Sequence, residues 1–166
     1  AGLEPSSLLT LRDEYAALLP AELHRPLAKA AKLVEEVLAD DLKAGQITLP
    51  FVDQGGRRVL LHTHCHQKAA GASGATEALL KAVPGLVVEV IDSGCCGMAG
   101  SFGYAAKTAE TSLAMAELAL FPALRAAPDA EILATGTSCR HQIVDGAGRA
   151  AFHPIRLLDS ALAAPL

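Results

Sequence analysis

The chain has 166 residues, of which 51% are hydrophobic and 19% charged, with a formal net charge of −4. That length suits one domain with its own core, and the composition is globular rather than disordered. The net acidity and the lack of a basic stripe argue against a nucleic-acid surface, and no apolar run reaches the ~18 residues of a membrane span or forms a signal peptide.

The first residues, Ala1-Gly2-Leu3-Glu4-Pro5, carry no initiator Met, which suggests a piece of a longer protein. Residues 6–19 read as a helix started by Pro5 and Ser6 and stopped by Pro20. A second helix is expected from Pro26, with Leu27, Ala31, Val34, Leu38 and Leu42 at helical spacing and Gly45 as its end. Residues 46–50 read as loop or short strand, and Gln54-Gly55-Gly56 as a turn. Arg58 to His62 is the first clear strand, followed by helix signals from Gln67 and again from Ala75 to Val83. Pro84-Gly85 turns the chain into a second strand, Leu86 to Ile91. A long helix is expected from Tyr104 to about Arg125, kinked or restarted at Pro122. Glu131 to Thr135 is the third strand, with a short helix after it to about Val144. Phe152 to Pro154 reads as a short fourth strand and Ile155 to Ala163 as a closing helix. Strands alternating with helices predict an α/β fold: a three-layer domain with a parallel sheet, helices on both faces and right-handed crossovers.

Four cysteines stand out in this layout. Cys65, the adjacent Cys95 and Cys96, and Cys139 each follow a predicted strand. In a parallel sheet the carboxyl ends of the strands share one edge, where ligands bind, so these residues are expected to converge there. They sit among histidine, glycine and polar residues, which fits a reduced setting and metal or redox chemistry better than disulfides. Thiolate is the metal-binding form, and a strand-to-helix turn favours negative charge. Four thiolates are the usual iron–sulfur set, whereas three or four thiolates with a histidine suit zinc. Adjacent cysteines fit a multi-iron cluster more easily than two corners of one small tetrahedron. His64, His66 and His141 are further candidate ligands, and His62, on the strand proper, reads as a packed residue. The glycines at 94, 97, 100 and 103 match neither a dinucleotide fingerprint nor a P-loop. No Cys-x-x-Cys is present, which excludes a thioredoxin-like motif. No catalytic residue is read from the chain.

His64-Cys65-His66, Gly94-Cys95-Cys96-Gly97 and Ser138-Cys139-Arg140 resemble the cysteine-rich "CCG" domain. That domain occurs in heterodisulfide reductase, in the iron–sulfur component of glycolate oxidase, and in proteins of lactate utilisation and anaerobic glycerol-3-phosphate oxidation. Glu4-Pro5-Ser6, residues 9–14, residues 96–103 and residues 136–142 resemble one branch more closely. There the domain ends a large FAD-linked oxidase that also carries a ferredoxin-like iron–sulfur segment. The resemblance implies that residues 1–166 are a single CCG-type domain at the C-terminal end of a larger FAD-linked oxidoreductase acting on a 2-hydroxy acid such as glycolate, lactate or 2-hydroxyglutarate. It implies an iron–sulfur cluster, as in [4Fe–4S] proteins, on Cys65, Cys95, Cys96 and Cys139. Gly94 and Gly97 would admit backbone amides to it, and His64, His66, Arg140 and His141 would balance charge. Its partners would be the flavin domain, which holds FAD, and the ferredoxin-like segment, in the cytoplasm or held at a membrane by partner proteins. The alternatives are a structural zinc domain that docks the flavoprotein and a thiol-redox module like heterodisulfide reductase. The family commonly has cysteine where this chain has Ser7, and many members have a second cysteine where it has Gln142. On the family pattern, position 7 is expected to face the same crevice as Cys65.

Overall fold

Three short apolar runs build the centre of the molecule. In the computed structural model, which describes residues 1–163, they form strands β1 (Arg58–His62), β2 (Val87–Val90) and β3 (Glu131–Ala134), joined by the two-residue β4 (Ala151–Phe152). The last three positions of the expected domain lie outside the described residues. The strand order is β2-β1-β3-β4 and every pairing is parallel, the arrangement expected from alternating strands and helices.

Neighbouring side chains leave a strand on opposite faces, and both faces are covered. Val59, Leu61 and Leu133 pack with Leu79, Leu80 and Val83 of helix α5 (Ser73–Lys81) and its C-terminal turn, and with Leu157 and Leu158 of α9 (Pro154–Ser160). Helix α3 (Val34–Lys43) adds Leu38, Ala39 and Leu42 to that layer. On the other face Leu60, Ile132 and Ala134 meet Ala116 of α6 (Ala109–Glu117), Leu120, Phe121 and Leu124 of α7 (Leu120–Ala126), and Ile143 of α8 (Thr137–Ala147). Each fully buried leucine or isoleucine in these layers contributes about 1.5–3 kcal/mol of transfer free energy. β2 lies at the open edge, with Val87 and Val90 exposed and Glu89 paired to Arg58 at 2.6 Å. Among the described residues, no helix is long and apolar enough to cross a membrane.

The helices depart from the expected bounds for identifiable reasons. The expected helix at 6–19 is α1 (Pro5–Leu9) followed by a separate 3-10 turn at Glu14–Ala17. Thr10 Oγ1 donates to the Ser6 and Ser7 carbonyls, and Arg12 is drawn across to Glu36 and the Ala31 carbonyl. The second expected helix is two: α2 (Ala21–Ala30), with Pro26 inside it, and α3. Between them Gly2 donates to Lys32 and accepts from Val34, so residues 31–33 are pulled into an extended bridge. The Glu36 carboxylate then accepts from the Leu33 N–H at 2.8 Å and caps α3. The long helix expected from Tyr104 is α6 and α7 separately. Pro122 occupies the first turn of α7, where a missing N–H leaves no carbonyl unpaired. The remaining bounds differ by a few residues, as helix and strand ends do.

Candidate metal centre

From β1 the chain goes to β2 on one side, and it returns past β1 to β3 on the other. A crevice opens at such a reversal, outside the carboxyl ends of the strands. Cys65 begins helix α4 (Cys65–Ala69) directly after β1, Cys95 and Cys96 lie in the turn after β2, and Cys139 is the third residue of α8 after β3. All four are free thiols at this crevice. Cys65, Cys95 and Cys96 line a cavity of about 570 Å³, together with His64, His66 and His141. Cys139 is buried beneath it, and its sulfur, the Cys96 sulfur and a ring nitrogen of His62 lie within 4.8 Å of one another.

The thiols form a chain of neighbours, Cys65–Cys95–Cys96–Cys139, and divide into donors and acceptors. Cys95 accepts from Cys65 and Cys96, which holds its thiol far below the usual value despite burial. Cys139 accepts from Cys96 and falls to about 5 against the opposing cost of burial. Cys65 and Cys96, as donors, are pushed well above the usual range. Cys95 and Cys139 are thus the two sulfurs whose surroundings favour negative charge. The Gly97 N–H donates to Cys95 Sγ at 3.3 Å, and the N–H groups of His66 and Met98 are directed at Cys65 and Cys96. The Lys68 ammonium, bonded to the Ser93 carbonyl, adds positive charge beside these sulfurs, although burial lowers its own pKa.

The double-cysteine turn is braced from behind by Ser112. Gln142 is buried and its amide donates to the Ser112 carbonyl and hydroxyl, both at 3.0 Å. Gly97, at φ +94°, passes so close that a Cβ there would come within 2.9 Å of the Ser112 carbonyl carbon and closer still to its oxygen. Gly94 is different, because a Cβ would meet no atom within 4 Å. Ala99 holds φ 41° on the cavity wall, a conformation that non-glycine residues adopt mostly where the surroundings impose it. Gly136 lets β3 turn into α8 against the His64 ring and Cys139, with a Cβ position 3.2 Å from Cys139 Sγ.

The histidines behave differently from one another. His64 caps α4 by accepting from the His66 N–H at 3.2 Å, His66 approaches Glu14 at 4.0 Å, and His141 Nδ1 pairs with Tyr104 Oη at 2.6 Å. Sequence reasoning passed over His62 and Lys68. His62 looks like an ordinary packed strand residue, and only the pairing of β1 with β3 places its ring under the cysteines. Arg140 turns away, donating to the carbonyls of Ala134 and Thr135. Ser7 is not among the residues that line the cavity, contrary to the expectation that it faces the crevice. The lining residues of its segment are Glu4 and Ser6. The Glu4 carboxylate accepts from the Thr137 N–H at 2.8 Å, and this bond with those to Ser6 outweighs burial and lowers its pKa.

Comparison with known proteins fits this thiol-lined site. The chain is similar to parts of dehydrogenases. It is 35% identical over 159 residues to D-2-hydroxyglutarate dehydrogenase of Escherichia coli (strain K12) and 32% identical over 164 residues to that of Pantoea ananatis, covering 95% of this chain each time. It is 33% identical over 153 residues to a component of the anaerobic glycerol-3-phosphate dehydrogenase of E. coli (strain K12), covering 92% of this chain. The chain spans 15% of the two hydroxyglutarate dehydrogenases and 38% of the glycerol-3-phosphate dehydrogenase component, so it corresponds to a small part of larger proteins. No family model matches the chain, and no solved structure matches it, so the CCG name rests on its motifs.

The residues present fit a soft metal group. Four free thiols offer sulfur donors, N–H groups are directed at three of them, and the buried His62 Nε2 has no hydrogen-bond partner.

Proposed function

We propose that this domain is the iron–sulfur electron-transfer module of an FAD-linked 2-hydroxy-acid oxidase or dehydrogenase. The observation that carries the reading is the meeting of four free thiols from three strand ends, in a chain 30–35% identical to dehydrogenases over nearly its whole length. Cys65, Cys95, Cys96 and Cys139 would hold the cluster, with Cys95 and Cys96 on different irons. The cluster, when bound, supplies one-electron chemistry, and its potential answers to burial and to hydrogen bonds at sulfur. The Gly97, Met98 and His66 N–H groups and the Lys68 ammonium offset the negative charge of the thiolates. Gly97 also lets the turn approach Ser112, whereas Gly94 supplies room.

In this reading residues 1–166 are one CCG-type domain of a longer polypeptide. A flavin domain elsewhere in the parent oxidises a glycolate-, lactate- or 2-hydroxyglutarate-like substrate, a ferredoxin-like segment relays electrons, and the protein works in the cytoplasm. One observation favours a second reading, structural zinc: His62, Cys96 and Cys139 are close enough to share a single ion. Anaerobic reconstitution with iron and sulfide, followed by metal and sulfide analysis and visible absorption, separates the two. The expected product holds iron and acid-labile sulfide and absorbs broadly across the visible range. A colourless protein that retains zinc and rejects iron overturns the cluster reading.

A further inference from the structure

We infer that His62 is a metal ligand, its Nε2 completing a donor set with Cys65, Cys95, Cys96 and Cys139. The inference rests on the metal-centre reading and adds to it a residue from the core of the sheet. His62 is the last residue of β1, fully buried and paired with Ala134 of β3. Its two nitrogens have different surroundings. Nδ1 lies 2.9 Å from Ser93 Oγ, whereas Nε2 is buried without any hydrogen-bond partner. A fully buried, unpaired ring nitrogen is uncommon in a folded protein and calls for a reason. Here the surroundings supply one, since the Cys96 and Cys139 sulfurs and a ring nitrogen of His62 lie within 4.8 Å of one another. Ligands at ~2.0–2.1 Å for nitrogen and ~2.3 Å for sulfur around one metal atom span distances of that size.

The hydrogen-bond partner of Nδ1 admits the required tautomer. The Ser93 hydroxyl has one hydrogen and two lone pairs, so it can accept from Nδ1–H as well as donate to Nδ1. With Nδ1–H donating to Ser93 Oγ, the Nε2 lone pair is free to bind a metal, as in histidine ligands oriented by a partner on their other nitrogen. The other three histidines at the site lack such a free, buried nitrogen. Gln142 stands where a further thiolate is common in the resembled family, but its amide is committed to Ser112. An imidazole is neutral, so replacing a thiolate with it makes a cluster less negative and raises its potential.

The test begins with the unmodified chain, so it does not depend on a variant folding. Protein labelled with ¹⁵N only in histidine is reconstituted anaerobically with iron and sulfide, reduced, and examined by pulsed electron paramagnetic resonance. A strong nitrogen coupling that changes with the label, and disappears in His62→Ala but not in His141→Ala, is expected. His62→Cys should keep the iron and lower the midpoint potential. In parallel, apo protein is loaded with zinc alone and its X-ray absorption is examined for imidazole scattering, expected in the parent and lost in His62→Ala. Iron bound without a histidine nitrogen coupling overturns the inference and leaves the cluster reading standing. Imidazole on zinc with no iron uptake supports His62 as ligand and overturns the cluster. Zinc bound without imidazole, or neither metal bound, overturns the inference.

Discussion

Gly97→Ala is the sharpest test of how the double-cysteine turn is held. At φ +94° an L-residue with a Cβ is strained, at a cost of about 1–2 kcal/mol. The new methyl must also displace the Ser112 carbonyl, which is fastened by the buried Gln142 amide. Forcing a methyl into a packed site of this kind costs about 1–3 kcal/mol. The sum is about 3 kcal/mol, and at about 2–4 °C per kcal/mol for a domain of this size the apo protein should melt about 6–12 °C lower. Gly94→Ala is the matched control. It sits two residues before Cys96, but its added carbon meets nothing within 4 Å, so a change within about 0.5 kcal/mol is expected. Thermal and urea unfolding followed by circular dichroism would measure both. Gly97→Ala should also hold metal less well, because the Gly97 N–H is the one directed at Cys95 Sγ. Equal melting temperatures for the two variants would refute the bracing of the turn by Ser112.

Glu35 is buried without a hydrogen bond to either carboxylate oxygen, 3.5 Å from His153, and burial raises its pKa from 4.5 to about 6. The native state thus holds this proton more tightly than the unfolded chain, so stability should fall by about 2 kcal/mol as pH rises through that window. Urea unfolding of Glu35→Gln should lack this component, and parallel stability–pH curves for parent and variant would contradict it. Ser7→Cys should leave bound iron and sulfide unchanged, because Glu4 and Ser6, not Ser7, line the cavity. A rise in metal content would show that position 7 reaches the centre after all. The isolated 166-residue chain should not oxidise glycolate, lactate or 2-hydroxyglutarate with a dye acceptor. Turnover above that of a cysteine-free control would place a substrate site within it.

Much of the fold could be read in the chain because its signals are local. Val59-Leu60-Leu61 and Ile132-Leu133 are short apolar runs bounded by turns, and a cysteine follows each of the three main strands. Signals failed where distant residues overrule local preference. The break between α2 and α3 depends on Gly2 bonding to Lys32 and Val34, which no helical period can show. Ser6 and Ser7 differ only in which side of one short turn they occupy. His62 had the plainest sequence setting of all, a polar residue ending an apolar strand. Its relation to Cys96 and Cys139 comes only from strand register, together with the Ser93 hydroxyl that orients the ring.

The strand order also has a consequence in time. β1 lies between β2 and β3, and its partner β3 emerges from synthesis about seventy residues later. Until then a growing chain exposes Cys65, Cys95 and Cys96 without Cys139 and without the register that seats His62. Sheets that pair such distant segments close slowly, and partly formed ones expose unpaired edges. Three thiols on an unfinished sheet are open to stray zinc, to oxidation and to one another. On the metal-centre reading, metal added to the closed domain should therefore give a more uniform product than metal present during refolding.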